Sequence, residues 1–377
     1  MPEGFLHAPP HAPALLLADY LEGWLAGIRC RPTTMADYRQ SVRVYVTPRI
    51  GHLALTTLRA DDLDALYRTL ERTGRRRGPC TAAPHTCAAN GCTPERHGGL
   101  APKTVRNVHG MLHRALAQAS ERGHVASNVA SLANPPSARD ARDAAVRHDI
   151  WDAATLGRFL ARVRGDALHA ALRLIATTGA RRGEVLGLRW REVDLIDARV
   201  LLGAQTLTAV SGRLVWQRHG KTAAATRDVA LDATTLDVLA EHRARQAAVA
   251  AGAGVRWHED EHGPLVFTTA LGAPLRPDSF SRRFRALVAA SGCPPLDVHG
   301  LRHSYATAAL RAGVSPEVLS RRLGHADIGI TLGFYAHVRP ADDRDAALGV
   351  ARAIDAAAAQ STRTDAAAMD EHRDGRW

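Results

Sequence analysis

Four short stretches of this 377-residue chain hold residue types whose chemistry converges on an anion. Thr178-Gly179-Ala180-Arg181-Arg182-Gly183-Glu184 places an arginine just before a helical stretch and between glycines. There its fork and the nearby backbone N–H groups can meet a phosphate. In His299-Gly300-Leu301-Arg302-His303, the first histidine and the arginine are spaced i,i+3 and share a helix face, so both can donate to one phosphate. In Leu323-Gly324-His325 the glycine ends a helix and holds the histidine at the turn, and Tyr335 follows ten residues later. Only two of the 49 basic residues are lysines, Lys103 and Lys221, and Lys221 lies between two strand-like runs. A lysine kept in an arginine-rich chain points to a group that can release a proton, which arginine does not readily do. Each piece also has an ordinary reading: a surface arginine at a turn, a helix-start histidine beside a solvated arginine, a half-buried tyrosine, a hairpin lysine touching phosphate. Taken singly, none excludes it.

The elements that must position these residues read in two blocks. In the first, apolar residues at helical spacing predict helices over 14–29, from Thr33 as N-cap to about Val46, from Asp61 or Asp62 to about Thr73, and from Pro102 to Arg122. Asn134-Pro135-Pro136 and the charged stretch to His148 read as a linker. The second block opens with a helix capped by Asp152 and another ending at Gly179. Strand-like runs follow at Val200–Leu202, Leu207–Val210, Leu214–Gln217 and Arg227–Leu231, with Ser211-Gly212 as a hairpin turn. Helical pattern returns at 234–250, 278–290, 299–312 and 315–323, and again over 342–359.

The formal charge is +11, from 49 Lys+Arg against 38 Asp+Glu. Residues 1–147 carry 19 basic and 12 acidic groups, residues 148–340 carry 25 and 18, and residues 341–377 carry 5 and 8. Two successive basic blocks suit a clamp on a polyanion, most simply DNA. The apolar content of 46% excludes wholesale disorder. No run spans a bilayer, and the first 13 residues lack a signal peptide, so a cytoplasmic, nucleoid-associated protein is expected. Five cysteines, an odd number, argue against a disulfide framework.

Taken together, T-G-x-R-x-x-E, a hairpin lysine, H-x-L-R-H, L-G-H and then a tyrosine resemble the tyrosine recombinase, or phage integrase, family. Pro32-Thr33-Thr34 through Tyr38 and Ala101–Asn128 look like that family's helical core-binding domain. The resemblance covers about residues 14–340. It implies a multidomain α/β protein: an all-helical N-terminal core-binding domain (SAM-like helical bundle) over 14–132, a linker over 133–150, and a mainly α catalytic domain with a small antiparallel β-sheet over 151–340. It also implies a mechanism. Tyr335 attacks a phosphodiester to leave a 3′-phosphotyrosine. Arg181 and Arg302 bind the scissile phosphate. Lys221 is the general acid for the 5′-oxygen, His299 an acid/base near the tyrosine, and His325 a hydrogen-bond donor to the phosphate. No metal, ATP or other cofactor is expected. Double-stranded DNA is the expected partner, with a homo-tetramer in the synaptic complex and an accessory DNA-bending or directionality factor. Glu184 and His303 are expected to support the site, Arg182 to lie off its register, and Tyr305 to pack in the core.

Two features depart from the family pattern. Residues 74–99 form an insertion holding Cys80, His85, Cys87, Cys92 and His97. That spacing offers enough ligands for a tetrahedral zinc site but has no C-x-x-C knuckle, so a Gly/Pro-rich loop with incidental thiols is the preferred reading. The helices also begin by about residue 14, so no arm-binding domain is expected ahead of them, and Xer-like or simple-element recombination stays open. Two competing functions are a type IB topoisomerase, disfavoured by the helical domain, and a non-catalytic DNA-binding regulator. The regulator would be expected to lack at least one of the six site positions, and all six are occupied.

Overall fold

The computed structural model describes residues 14–73, 98–144, 150–218, 226–258, 260–324 and 329. The chain divides into two compact units, Met1–Arg147 with Val210–Val215, and His148–Ala209 with Trp216–Trp377.

The first unit is helical. Its principal helices are α1 (Leu17–Gly27), α2 (Pro32–Gln40), α4 (Ala60–Thr73) and α5 (Pro102–Glu121). Leu17, Leu21, Trp24 and Leu25 of α1 face Leu63, Leu66 and Leu70 of α4 and Val105, Val108, Leu112 and Leu116 of α5 in one core. Burying each such aliphatic side chain contributes about 1.5–3 kcal/mol. Thr33 is not the cap of α2. Pro32 occupies the first turn and Arg31 the cap position, because a proline with no N–H to satisfy suits a helix start.

The helix also runs past Val46. A π-helical stretch, Ser41–Val46, leads into the short α3 (Thr47–Ile50). Pro48 has no N–H to offer the Val44 carbonyl. The Arg49 guanidinium takes over, donating to Val44 O at 3.0 Å and Tyr45 O at 3.1 Å.

Within the segment expected as a linker, Asn134 donates to both carboxylate oxygens of Asp64, and Arg106 donates to Pro136 O at 2.7 Å. Ala138–Asp143 then forms a further helix, α6.

The second unit packs α7 (Ala153–Arg162), α8 (His169–Thr178), α9 (Arg182–Leu186), α10 (Ala233–Ala253), α11 (Pro277–Ser291), α12 (Val298–Arg311) and α13 (Pro316–Leu323) with two small β pieces. Strands β1 (Val193–Asp194), β2 (Arg199–Leu202) and β5 (Arg227–Ala230) form an antiparallel sheet in the order β1-β2-β5. Strands β3 (Gln205–Val210) and β4 (Arg213–Arg218) form a hairpin. Its turn residues, Ser211 and Gly212, both take positive φ (49° and 80°), the geometry that matches strand twist in a two-residue loop.

Side-chain caps start the helices near the site. Asp152 accepts from Thr155 N at 2.8 Å, Asp232 from Thr235 N at 3.0 Å and Asp297 from Gly300 N at 2.6 Å. Trp151 anchors the start of the unit, its backbone N–H donating to Ser304 Oγ of α12 at 2.8 Å. Among the described residues no helix is long and apolar enough to cross a membrane.

Candidate active site

Helix α8 ends at Gly179, whose φ of 67° is left-handed. A Cβ there would come within 2.5 Å of both Leu323 and Tyr305, so glycine is required on two counts. This turn presents the Gly179 carbonyl to Arg302, which donates to it through Nη1 at 2.6 Å and to Leu323 O through Nη2 at 2.8 Å. Arg302 lies on the buried face of α12. These two carbonyls are uncharged and lie at helix C-terminal ends, where such groups lack intrahelical partners. Burial, then the neighbouring Arg181 charge, lowers the Arg302 guanidinium to about 9. It stays charged at neutral pH in surroundings that disfavour the charge, which an incoming anion would relieve.

Arg181 occupies the cap position of α9 with extended backbone. An arginine side chain has no acceptor to return to the helix, so the cap is one-sided. Glu184 reaches back and accepts the Arg181 backbone N–H at 2.8 Å. Arg181 Nη1 donates to Glu184 Oε1 at 2.8 Å and Nη2 to Gly324 O at 3.1 Å, and the side chain remains 40% exposed. Glu184 itself is buried. Burial alone would raise its carboxyl, but the Arg227 hydrogen bonds and charge, with Arg181, hold it below the ordinary carboxylate range.

Arg227, the first residue of β5, donates to both Glu184 oxygens, at 3.1 and 3.0 Å, and through Nε to Arg322 O. Three consecutive carbonyls at the end of α13 thus take one guanidinium each: Arg322 O takes Arg227, Leu323 O takes Arg302, and Gly324 O takes Arg181. Among the described residues, three guanidinium groups surround one carboxylate. The result is an excess of positive charge with one arginine partly open.

Tyr305 packs its ring at Gly179 and accepts from Arg322 Nε at 2.7 Å. The His303 ring lies edge-on to His299, with centroids 4.5 Å apart. His299 is exposed at the start of α12 and lines a cleft of about 320 Å³ with Arg182, Ser281 and Arg285. Arg182 donates to Ser281 Oγ at 2.5 Å and so is held by α11. Gly183 and Gly187 have a packing role that the sequence reading did not assign. A Cβ on Gly183 would lie 3.0 Å from Leu207 O, and one on Gly187 would lie 3.2 Å from Gln205 O, so both let β3 approach α9 closely.

Of the six site residues expected from sequence, the structure therefore brings Arg181 and Arg302 to adjacent carbonyls of one turn, with His299 three residues before Arg302. Lys221, His325 and Tyr335 lie outside the described residues. So do Cys80, His85, Cys87, Cys92 and His97, and the helix expected over 342–359. Among the described residues no cluster of three or more His, Cys, Asp or Glu could hold a metal ion.

Arg227 was missed as a site residue. It carries a signal nonetheless: burial alternates along β5, and Arg227 takes an inward position. A charge on the inward face of a short strand calls for a buried partner of opposite sign.

A model of the phage integrase family matches residues 159–342. The tyrosine recombinase XerC of Mycobacterium sp. (strain KMS) is 30% identical over 264 residues, 64% of this chain and 73% of that protein. The XerC-like tyrosine recombinase of Caldanaerobacter subterraneus subsp. tengcongensis is 26% identical over 252 residues, 64% of each chain. In fold the chain is similar to the Tn1549 transposon integrase, solved in complex with transposon right-end DNA. That likeness has a TM-score of 0.68 at 17% identity and covers 89% of this chain and all of that one.

Proposed function

The chain belongs to the tyrosine recombinase, or phage integrase, family, and on that premise we propose that it is a site-specific DNA recombinase that cleaves and religates double-stranded DNA through a 3′-phosphotyrosine. The observation that supports the reading is the concentration of positive charge at the end of α13, where, among the described residues, Arg181, Arg227 and Arg302 gather around the carboxylate of Glu184. Arg181 and Arg302 clasp the scissile phosphate. Their N–H groups stabilise the negative charge that builds on the nonbridging oxygens as the fifth bond to phosphorus forms.

Tyr335 is the nucleophile. A phenol with a pKa near 10 is a weak nucleophile at neutral pH, and surrounding cationic donors lower its barrier. His299 moves the tyrosine proton, Lys221 protonates the departing 5′-oxygen, and His325 donates to the phosphate. The phosphotyrosine conserves the energy of the broken bond, so the freed 5′-hydroxyl of another strand displaces the tyrosine without ATP. Strand exchange of this kind proceeds in a homo-tetramer on two DNA sites, assisted by an accessory bending or directionality factor.

The test uses nicked fragments tiling the DNA that flanks the gene, with EDTA present and ATP absent. A protein–DNA complex that survives denaturant is expected on one of them. Cleavage that appears only on adding a divalent metal, or religation that needs ATP, would contradict the reading.

A further inference from the structure

The cluster contains one arginine that the proposed chemistry does not use. Arg227 is 7% exposed, too enclosed to clasp a DNA phosphate, yet it is the most extensively bonded side chain of the group. We infer that Arg227 is a positioning residue that sets the aim of Arg181 and fixes the end of α13; the inference rests on the recombinase reading.

Its argument is one of acceptor sites. A carboxylate has about four lone-pair positions. Oε1 of Glu184 receives Arg181 Nη1 and Arg227 Nη1, and Oε2 receives the Arg181 backbone N–H and Arg227 Nη2. Arg227 thereby occupies one position on each oxygen in a two-pronged pairing. Arg181 is left a single side-chain bond to the carboxylate and sends its other terminal nitrogen to Gly324 O. Two of the five side-chain N–H donors of Arg181 are engaged in this way, and the rest have no acceptor among the described residues and remain for a ligand.

Without Arg227 the Glu184 oxygens would draw Arg181 into a two-pronged pair of its own, away from phosphate. The Arg322 carbonyl, first of the three that order the turn before His325, would lose its donor as well. Arginine is specified here by geometry. Nη1, Nη2 and Nε must reach one carboxylate and one carbonyl together, which a lysine's point charge cannot do.

The experiment compares wild type, Arg227→Lys, Arg181→Lys and the double variant on the nicked fragment that wild type cleaves. It measures DNA affinity and single-turnover cleavage at saturating protein. Arg227→Lys keeps the charge, so binding should stay within about twofold. Cleavage should fall about 10–10²-fold, the usual consequence of a misplaced catalytic group. In the Arg181→Lys background the same change should cost less than about threefold, because its effect passes through Arg181.

Wild-type cleavage by Arg227→Lys would overturn the inference. So would losses that multiply in full in the double variant, or a loss of binding equal to the loss of rate. Should Arg227→Lys unfold, Arg227→Gln keeps a hydrogen-bond donor beside Glu184, whose carboxylate retains Arg181 as its cation, and carries the same expectation of intact binding with slow cleavage. A wild-type chain that cleaves nothing would overturn the recombinase reading, and this inference with it. A cleaving wild type beside an unimpaired Arg227→Lys would overturn this inference alone.

Discussion

The second unit holds two buried arginine clusters built from similar parts to opposite ends. At one, Arg189 is fully enclosed, pairs with Asp260 at 2.8 Å, donates to Gly263 O and lies 5.2 Å from the Trp216 ring centre. Among the described residues that guanidinium forms its ion pair with one carboxylate, and the arginine has no open edge. At the other, Glu184 is shared by Arg181 and Arg227, Arg302 stands beside it on neutral carbonyls, and Arg181 is 40% exposed. A balanced and sealed pair holds loops together. An unbalanced cluster with an open edge is a receptor for an anion. The difference lies in charge count and exposure, since both sites use the same two functional groups.

Substitution should separate the two most sharply. Arg181→Ala should lower cleavage about 10²–10³-fold, the usual worth of one donor to transition-state charge. Its cost in stability should stay below about 1 kcal/mol, because its ion pair is partly solvated. Arg189→Ala should do the reverse. It leaves Asp260 enclosed without its partner and destabilises by about 3–5 kcal/mol, while the fraction that remains folded cleaves at the wild-type rate. Denaturant titration alongside single-turnover cleavage measures both. Equal losses of stability in the two variants would erase the distinction.

Glu184→Ala should join the two behaviours. Arg227 is left buried without its carboxylate, at about 3–5 kcal/mol, and Arg181 loses its brace, so cleavage falls in the protein that stays folded.

The pH dependence of stability follows from the same carboxylate. The folded-state pKa of Glu184 is depressed, so its contribution is present above the ordinary carboxylate range and lost as pH falls through the lowered value. Unfolding free energies between neutral and acid pH should fall less steeply for Glu184→Gln than for wild type. Parallel curves would remove Glu184 from the acid response.

The smallest effect expected is on anion binding. Inorganic phosphate, compared with chloride at equal ionic strength, should stabilise the protein by about 0.4 kcal/mol when its concentration equals its Kd. Arg181→Ala should abolish that gain and Arg189→Met should retain it. A gain that survives Arg181→Ala would place the anion elsewhere.

Much of this site was legible because its parts are local. Gly179 and Arg181, His299 and Arg302, and Leu323 and Gly324 sit in short motifs, and the helix that carries Leu323 announces itself by Ser315-Pro316 at its start. Arg227 was hidden because its carboxylate partner lies 43 residues away in sequence and no motif joins them. The roles of Gly183 and Gly187 were hidden for the same reason, since only the approach of β3 shows why a side chain is excluded there. In the first unit the helix was expected to end at about Val46, whereas Arg49 replaces the N–H that Pro48 lacks and the helix continues.

The central claim is that the arginine cluster presents a phosphodiester to Tyr335. The most direct measurement digests the denaturant-stable complex and identifies the modified peptide by mass spectrometry. The account predicts a 3′-phosphonucleotide on Tyr335, no complex with Tyr335→Phe, and a strongly reduced yield with Arg302→Ala. An adduct on another residue, or an undiminished complex with Tyr335→Phe, would contradict it.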